Sequence, residues 1–436
     1  MKKCIKTITF ESKIFSPIHI SDGKKISAME YIKDIENKKI YFIKSDKLID
    51  YIISQKGIND YKKIAEIFSM VPSNLNKNPF SLNEFFNKNL LNINKFISNK
   101  ENILYSVPIE GDITHNIEIE TCIKLYNYKP YIPGSTIKGF IRTAILYYYL
   151  KKEKEKNPSL FNKISNDIID ILKEENNINK KSFANIENYI NNMIFVYGTD
   201  KNNLNKLKKK PDGQKDIFRF IAIPDISNDK FELIILMKKR KILKKSAIEN
   251  NYNLSNNEIP VFCEVIKPKG DSFTIEIKIN ICQLQKKEIY NNFQEILQNI
   301  FSIKSINDPD FFGKIRNTII KSIQVFSSDL LQFEERYIPD SEQLNAIKEF
   351  MNKNNEVFFI NIGKYTNFFA KTITLLFKDK KEIYDKTIKS ILILRNKKYL
   401  DSDNLDEIIN IFPSTFNIIK HNNEEKFPGW IINRII

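Results

Sequence analysis

The sequence predicts an α+β protein of two ferredoxin-like or RRM-like modules with helical insertions, spanning residues 1–228 and 229–436. Length is the first reason: 436 residues exceed what one hydrophobic core usually serves, so two or three domains are expected. Order is the second, because strand, helix and strand patterns succeed one another in both halves. The third is a seam. After Pro224-Asp225 the pattern restarts, which puts a module boundary near 225–235.

Residues 4–14 alternate Cys4, Lys6, Ile8, Phe10, Ser12 and Ile14 against a polar face, the period of a half-buried strand. Pro17 ends it, and residues 16–23 follow as a shaped loop. Residues 45–53 and 61–70 read as helices. The cleanest alternation is 117–125, with Ile117, Ile119, Thr121, Ile123 and Leu125 opposite Glu118, Glu120 and Lys124. A Pro130–Pro133 turn leads into a helix at about 136–151, its apolar stripe being Ile137, Ile141, Ala144, Ile145 and Tyr148. Asn/Lys-rich helical chain continues to 195. Residues 201–216 are lysine-rich and of low complexity and read as a mobile loop; 217–223 read as a strand. In the second half, strands are expected at 231–238, 259–267 and 273–281. A helix at 284–301, more helix to about 352 and a strand at 357–362 follow, the last feeding Gly363-Lys364.

Hydrophobic residues make up 42% of the chain, enough for real cores, yet no run approaches the ~18 apolar residues of a membrane span. The basic start lacks the apolar block of a signal peptide, so the expected location is the cytoplasm. Four cysteines lie far apart without a CxxC pair, and with three histidines they provide neither zinc spacing nor a disulfide framework. No metal and no cofactor is expected. The formal charge of +16 suits a polyanionic partner, but 62 of the 69 basic residues are lysine. An A/T-rich genome would produce the same bias, so charge alone does not decide for nucleic acid. The seven arginines and 11 glycines say more. Glycine is far below its usual ~7%, and so marks places where a Cβ does not fit, in a tight turn or beside a ligand.

The most specific string is IPGSTIKGFIRTAIL, residues 132–146. Pro133-Gly134 turns the chain, and Ser135 is suited to cap the helix, its hydroxyl accepting from an open amide. Gly139 keeps the first turn bare, while Lys138 and Arg142, four apart, share a face. Open amides, a positive helix end and two cations make a phosphate site. The plainer alternative is a capped helix packed on a sheet, with solvated Lys138 and Arg142.

That string resembles the Pro-Gly-Ser-x-x-Lys-Gly-x-x-Arg signature of CRISPR RAMP proteins. The opening ITFESKIFSPIHISDGKKI, residues 8–26, is similar to the Ser-Pro-hydrophobic-His start of the same group. Within it, the fifth-subunit family of the type III-A (Csm) effector complex fits best, on three further segments. Residues 216–225 resemble its Asp-x-Phe-Arg strand with a Ser-Asp ending, residues 361–372 its Gly-Lys loop, and Pro428-Gly429-Trp430 its Gly-Trp ending. Tyr365 and Asn367 stand where that family often has glycine. The resemblance implies a non-catalytic, RNA-binding subunit that holds the 3′ region of a CRISPR RNA and supports its maturation in antiviral defence. It implies the repeating backbone RAMP subunit as neighbour, and the small helical subunit, target RNA and host nucleases as further partners. Carried onto this chain, Gly134, Ser135, Lys138, Gly139 and Arg142 would contact the guide, with His19, Arg219, Gly363, Lys364 and Lys371 as further contacts. Phe140 and Phe368 are candidate stacking surfaces for bases.

The alternative function is a metal-independent RAMP endoribonuclease that processes guide precursor RNA. Histidine would be its acid or base, and His19, His115 and His421 are the three available. The plainer reading of His19 is a hydrogen bond within its loop or a donor to RNA. Asp22 or Asp112 could act as a carboxylate in cleavage, but Asp22-Gly23 and Gly111-Asp112 are ordinary turn pairs. A basic globular protein with no salt-dependent RNA affinity is the third reading.

Overall fold

The computed structural model describes residues 4–57, 81–111, 118–174, 180–245, 252–254, 259–335, 341–353, 356–395, 409, 412, 415–422 and 424–436. Strand β1 (Ile5–Ile14) buries Ile8, Phe10, Ser12 and Ile14, as the alternation requires. Along the chain follow β2 (Ser21–Ile26), β3 (Tyr31–Asp34), β4 (Lys39–Ile43), β5 (Ile103–Pro108), β6 (Ile119–Cys122), β7 (Tyr131–Ile132), β8 (Ile221–Ala222) and β9 (Ile226–Ser227). The second half adds β10 (Leu233–Lys245), β11 (Tyr252–Leu254), β12 (Ile259–Ile266), β13 (Ser272–Asn280), β14 (Val357–Asn361), β15 (Thr415–His421), β16 (Glu424–Lys426) and β17 (Trp430–Ile435).

One five-stranded sheet has the order β14-β17-β1-β13-β8, and a larger one runs β16-β15-β10-β12-β6-β2. Register in the first is set by apolar pairs far apart in the chain, Ile8 opposite Ile277 and Phe10 opposite Ile275. The chain order β1, Gly134–Lys156 helix, β8, β13, helices, β17 makes the β-α-β-β-α-β split unit of a ferredoxin-like module. Both of these sheets draw strands from each side of residue 228.

The Gly134–Lys156 helix covers the first sheet with Ile137, Ile141, Ala144 and Ile145, all 1% exposed or less. Burial of such aliphatic side chains contributes about 1.5–3 kcal/mol each for the larger ones. Its other flank meets the Phe311–Glu335 helix, Phe140 and Tyr147 lying 5.5 and 5.0 Å from Phe326. Tyr147, not Tyr148, is the buried tyrosine on that side.

Three local expectations change. The strand expected at 217–223 is a 3-10 turn, Ile217–Phe220, followed by the short β8. Asp216 starts the turn by accepting the Phe218 N–H at 2.8 Å. The 117–125 strand reduces to β6 among the described residues. Beyond it Ile123 N–H donates to Ile20 O at 2.7 Å, and Leu125 N–H closes a turn onto Lys129 O. Residues 201–216 hold a helical turn, Leu204–Leu207, fastened where Asn192 Nδ2 donates to Leu207 O at 2.7 Å and Lys209 O at 2.8 Å. The expected 61–70 helix lies outside the described residues.

Candidate nucleic-acid interface

Two motifs meet at the start of the Gly134–Lys156 helix. The Gly134 N–H donates to Asp225 Oδ1 at 2.8 Å, and a Cβ on Gly134 would lie 1.9 Å from Ile223 O. The first amide expected to receive a phosphate is therefore held by the protein's own carboxylate. Ser135 is not the cap either: Pro133 holds that position without a side-chain bond, and Ser135 lies exposed in the first turn. Arg142 is engaged as well. Its Nη1 and Nη2 donate to the two Asp216 oxygens at 3.1 and 2.7 Å, and Nε donates to Asn191 Oδ1 at 3.0 Å. The guanidinium also packs against the Phe195 and Phe218 rings, 4.6 and 4.8 Å from their centroids, where those two rings meet edge-on. A bidentate arginine packed against two aromatic rings is a clamp that lysine could not replace, and it corrects the expectation of a free phosphate grip. Arg219 is exposed, donates to Gln214 O and lies over Phe220.

A second knot joins the other three motifs. Pro17 O accepts from Gly429 N–H at 2.9 Å, Gly429 O from Ile362 N–H at 2.9 Å, and His19 O from Lys364 N–H at 2.8 Å. Gly363, at φ +111°, sits so close that a Cβ would approach His19 O to 2.7 Å. Trp430 fills the space beneath, fully buried, its backbone N–H donating to Ser16 Oγ at 2.9 Å.

His19 lies inside this knot, 1% exposed. Its Nδ1 is 2.7 Å from Glu264 O, which only accepts, so Nδ1 carries the proton. The ring stacks on Tyr365 at 4.5 Å and 14°, with Nε2 3.8 Å from Glu120 Oε2. RNA contact through this imidazole, as expected from sequence, is thus not available in the structure, since the ring does not reach the surface. Glu120 accepts from Lys364 Nζ at 2.6 Å and from the Tyr365 hydroxyl. Burial opposes its ionisation, but those bonds outweigh burial and hold its pKa below the usual value. Glu264, with no exposed surface, accepts from Tyr105 Oη and Cys122 N–H, both at 2.8 Å, and from Lys124 Nζ. Glu120, Glu264 and Tyr365 escape a sequence reading that places Glu120 on a solvated strand face. Tyr365 in a position often glycine is the one signal that points to them.

Burial pulls the His19 pKa from 6.5 down to about 4. The unfolded chain therefore takes up its proton first, and the support given by the neutral imidazole, full above pH 6.5, is lost as pH falls toward 4. That gap is worth about 3 kcal/mol. Between pH 7 and 4, wild type is expected to lose about 3 kcal/mol more than His19→Asn in urea unfolding. Glu334, whose carboxyl burial raises to about 8, acts with the opposite sign in both proteins and cancels in the difference.

Between the two knots opens a cleft of about 970 Å3. Ser135, Gly139 and Arg142 line it from the helix, and Gly363, Lys364 and Lys371 from the facing loop. Phe140 and Phe368 belong to its largely apolar wall. Lys371 Nζ donates to Lys364 O at 2.9 Å, and desolvation, then the Lys364 charge, lowers its pKa to about 8. Gly134, His19, Lys138 and Arg219 do not line the cleft; Lys138 stands half-buried nearby, its pKa lowered by desolvation. Gly139 differs from Gly134, Gly363 and Gly429. No atom lies within 4 Å of where its Cβ would be.

Among the described residues no three His, Cys, Asp or Glu converge as a metal site, and no helix is long and apolar enough to cross a membrane. The curated CRISPR system Cms protein Csm5 of Methanocaldococcus jannaschii is 26% identical over 98% of this chain and 88% of its own length. The protein of the same name from Streptococcus thermophilus is 30% identical over 34% of this chain and 40% of its own. In fold, the chain is similar to a chain of a Csm–crRNA–target RNA ternary complex from a type III-A CRISPR-Cas system. The TM-score is 0.67 at 17% identity, covering 98% of this chain and 100% of that one. It is also similar to the crystal structure of T. onnurineus Csm5, with TM-score 0.59, 15% identity and coverage of 97% and 99%. The RAMP superfamily matches residues 11–407, and with both ferredoxin-like topology and these relatives in agreement, the chain belongs to that superfamily.

Proposed function

We propose that the chain is the RNA-holding subunit of a type III-A (Csm) CRISPR effector, gripping the 3′ region of the CRISPR RNA in the cytoplasm and supporting its maturation without cutting it. The cleft carries this reading, because it sets the Lys364–Lys371 loop across from the bare first turns of the helix. Phosphates would pass Lys364 and Lys371, with bases toward the Phe140 and Phe368 wall. The repeating backbone RAMP subunit would be the neighbour, with the small helical subunit, target RNA and host nucleases as further partners.

Gly139 adds independent support. A helical glycine costs about 0.5–1 kcal/mol against alanine, and the surrounding protein gives no reason for it. A strand of RNA passing the helix does. Gly139→Ala is expected to raise stability by about 0.5–1 kcal/mol yet weaken single-stranded RNA binding about tenfold. Thermal melts and filter binding read the two effects, and unchanged affinity removes Gly139 from the interface.

The tagged chain, purified from cells that express the whole system, should carry guide-length RNA and other RAMP subunits. RNA-free material at physiological salt would sink the reading. The endoribonuclease reading is less well supported. His19 is buried, and His421, also buried, has Nδ1 2.8 Å from Glu110 Oε2. Asp22 Oδ1 accepts from Thr121 Oγ1 at 2.6 Å and Lys24 N–H at 3.0 Å, a turn fastening. His115 and Asp112 lie outside the described residues.

A further inference from the structure

Outside the cleft lining stands an aromatic column that the backbone grip does not use. Phe42 and Tyr105 stack at 4.4 Å and 21°, and Tyr105 and Tyr128 at 4.8 Å and 18°. Most of the described ring pairs meet edge-on or tilted, whereas these three rings stack in series. The column runs outward. Phe42 is 1% exposed, whereas Tyr128 is 36% exposed and ends at the surface.

The turn that carries Tyr128 is built against its residue type. Tyr128 N–H closes onto Leu125 O at 2.9 Å, and its φ is +61°. Glycine or asparagine takes that conformation readily, while a bulky side chain is strained there. Tyr126, in the same turn, is 96% exposed. Among the described residues no hydrogen bond engages either hydroxyl.

The middle ring of the column is braced by Glu264, which also holds His19 behind the cleft loop. Tyr105 Oη donates to Glu264 Oε1 at 2.8 Å, and the Lys124 ammonium lies 4.7 Å from the Tyr105 ring centroid. The carbonyl of Glu264 holds His19, on which Tyr365 stacks next to Lys364 at the cleft. Column and cleft are therefore linked through one buried network.

We infer that the outer face of Tyr128 receives an unstacked base of the bound RNA strand as the fourth ring of this column, with Tyr126 beside it. The inference rests on the reading that the chain holds RNA and adds a base-stacking site to it. Every base presents a flat π-face, so such a site tolerates any sequence, which suits a guide whose sequence varies. Parallel stacking is the geometry a base completes.

The test uses single-stranded RNA oligonucleotides carrying 2-aminopurine at successive positions, titrated with the full-length chain. Variants are Tyr128→Asn, Tyr128→Trp and the pair Lys364→Glu with Lys371→Glu. Asparagine keeps the left-handed turn while removing the ring, so its thermal melt should match or exceed that of wild type. Quenching at one or two positions is expected with wild type and Tyr128→Trp, and its loss with Tyr128→Asn, together with about tenfold weaker binding. The lysine pair should weaken binding at every position. If Tyr128→Asn binds and quenches like wild type while the lysine pair fails, the column is no base site although the RNA reading stands. If wild type binds no RNA, both fall. Unchanged RNA binding by Tyr128→Asn with loss of a co-purifying RAMP subunit would make the turn a protein contact and overturn the inference.

Discussion

Glu264→Ala is expected to destabilise the protein by about 3–5 kcal/mol, because it strands a buried lysine without its counter-ion. The Glu264 side chain has no exposed surface and that of Lys124 is 10% exposed. Two further donors, Tyr105 Oη and Cys122 N–H, lose their acceptor in the same change. Each unpaired buried group costs about 1–3 kcal/mol. A well-packed apolar pair in place of the ions, Glu264→Leu with Lys124→Met, should recover most of the loss, since desolvation offsets much of a buried pair's attraction. Urea unfolding of both variants measures this. A loss under 1 kcal/mol for Glu264→Ala would show that water reaches Lys124 and that the network is not the brace described.

Gly134→Ala is the second large effect, about 3 kcal/mol of stability lost. The new methyl would meet Ile223 O at 1.9 Å and Pro224 O at 2.7 Å, backbone atoms with no rotamer to change. The same substitution five residues later, at Gly139, meets nothing within 4 Å and should stabilise. Two glycines of one helix thus respond with opposite signs. Thermal melting of the two alanine variants side by side reads the contrast. A Gly134→Ala melt equal to wild type would mean that residues 223–225 can retreat.

The fold was legible in sequence wherever one strand or helix face is apolar. The alternations of β1 and β13 and the stripe Ile137, Ile141, Ala144 and Ile145 report burial directly. They fail where both faces are buried. Glu120 alternates like a solvent-facing residue, yet all four residues of β6 are buried, and its carboxylate meets Lys364 and Tyr365. Residues 217–220 alternate like a strand, but the bonds of Asp216 to Phe218 N–H and to Arg142 turn them into a 3-10 helix. That partner is 74 positions away in the chain, beyond any local pattern. At the site, motif reading found the right segments but not what holds them. Gly134 and Gly363 are glycines because the protein's own backbone presses on them, and Arg142 is an arginine because Asp216 needs it. Of the three candidate-site glycines, Gly134, Gly139 and Gly363, it is Gly139 that keeps the open space a ligand would use.

The place of β1 between β13 and β17 also bears on biosynthesis. The ribosome makes β1 long before either neighbour, so a nascent chain carries a strand with two open edges while hundreds of codons are read. Such edges recruit other chains, and pairings so remote form slowly. Chaperone cover during translation, and synthesis alongside the partners that will receive the finished subunit, would matter more for this protein than for one whose strands pair as they emerge.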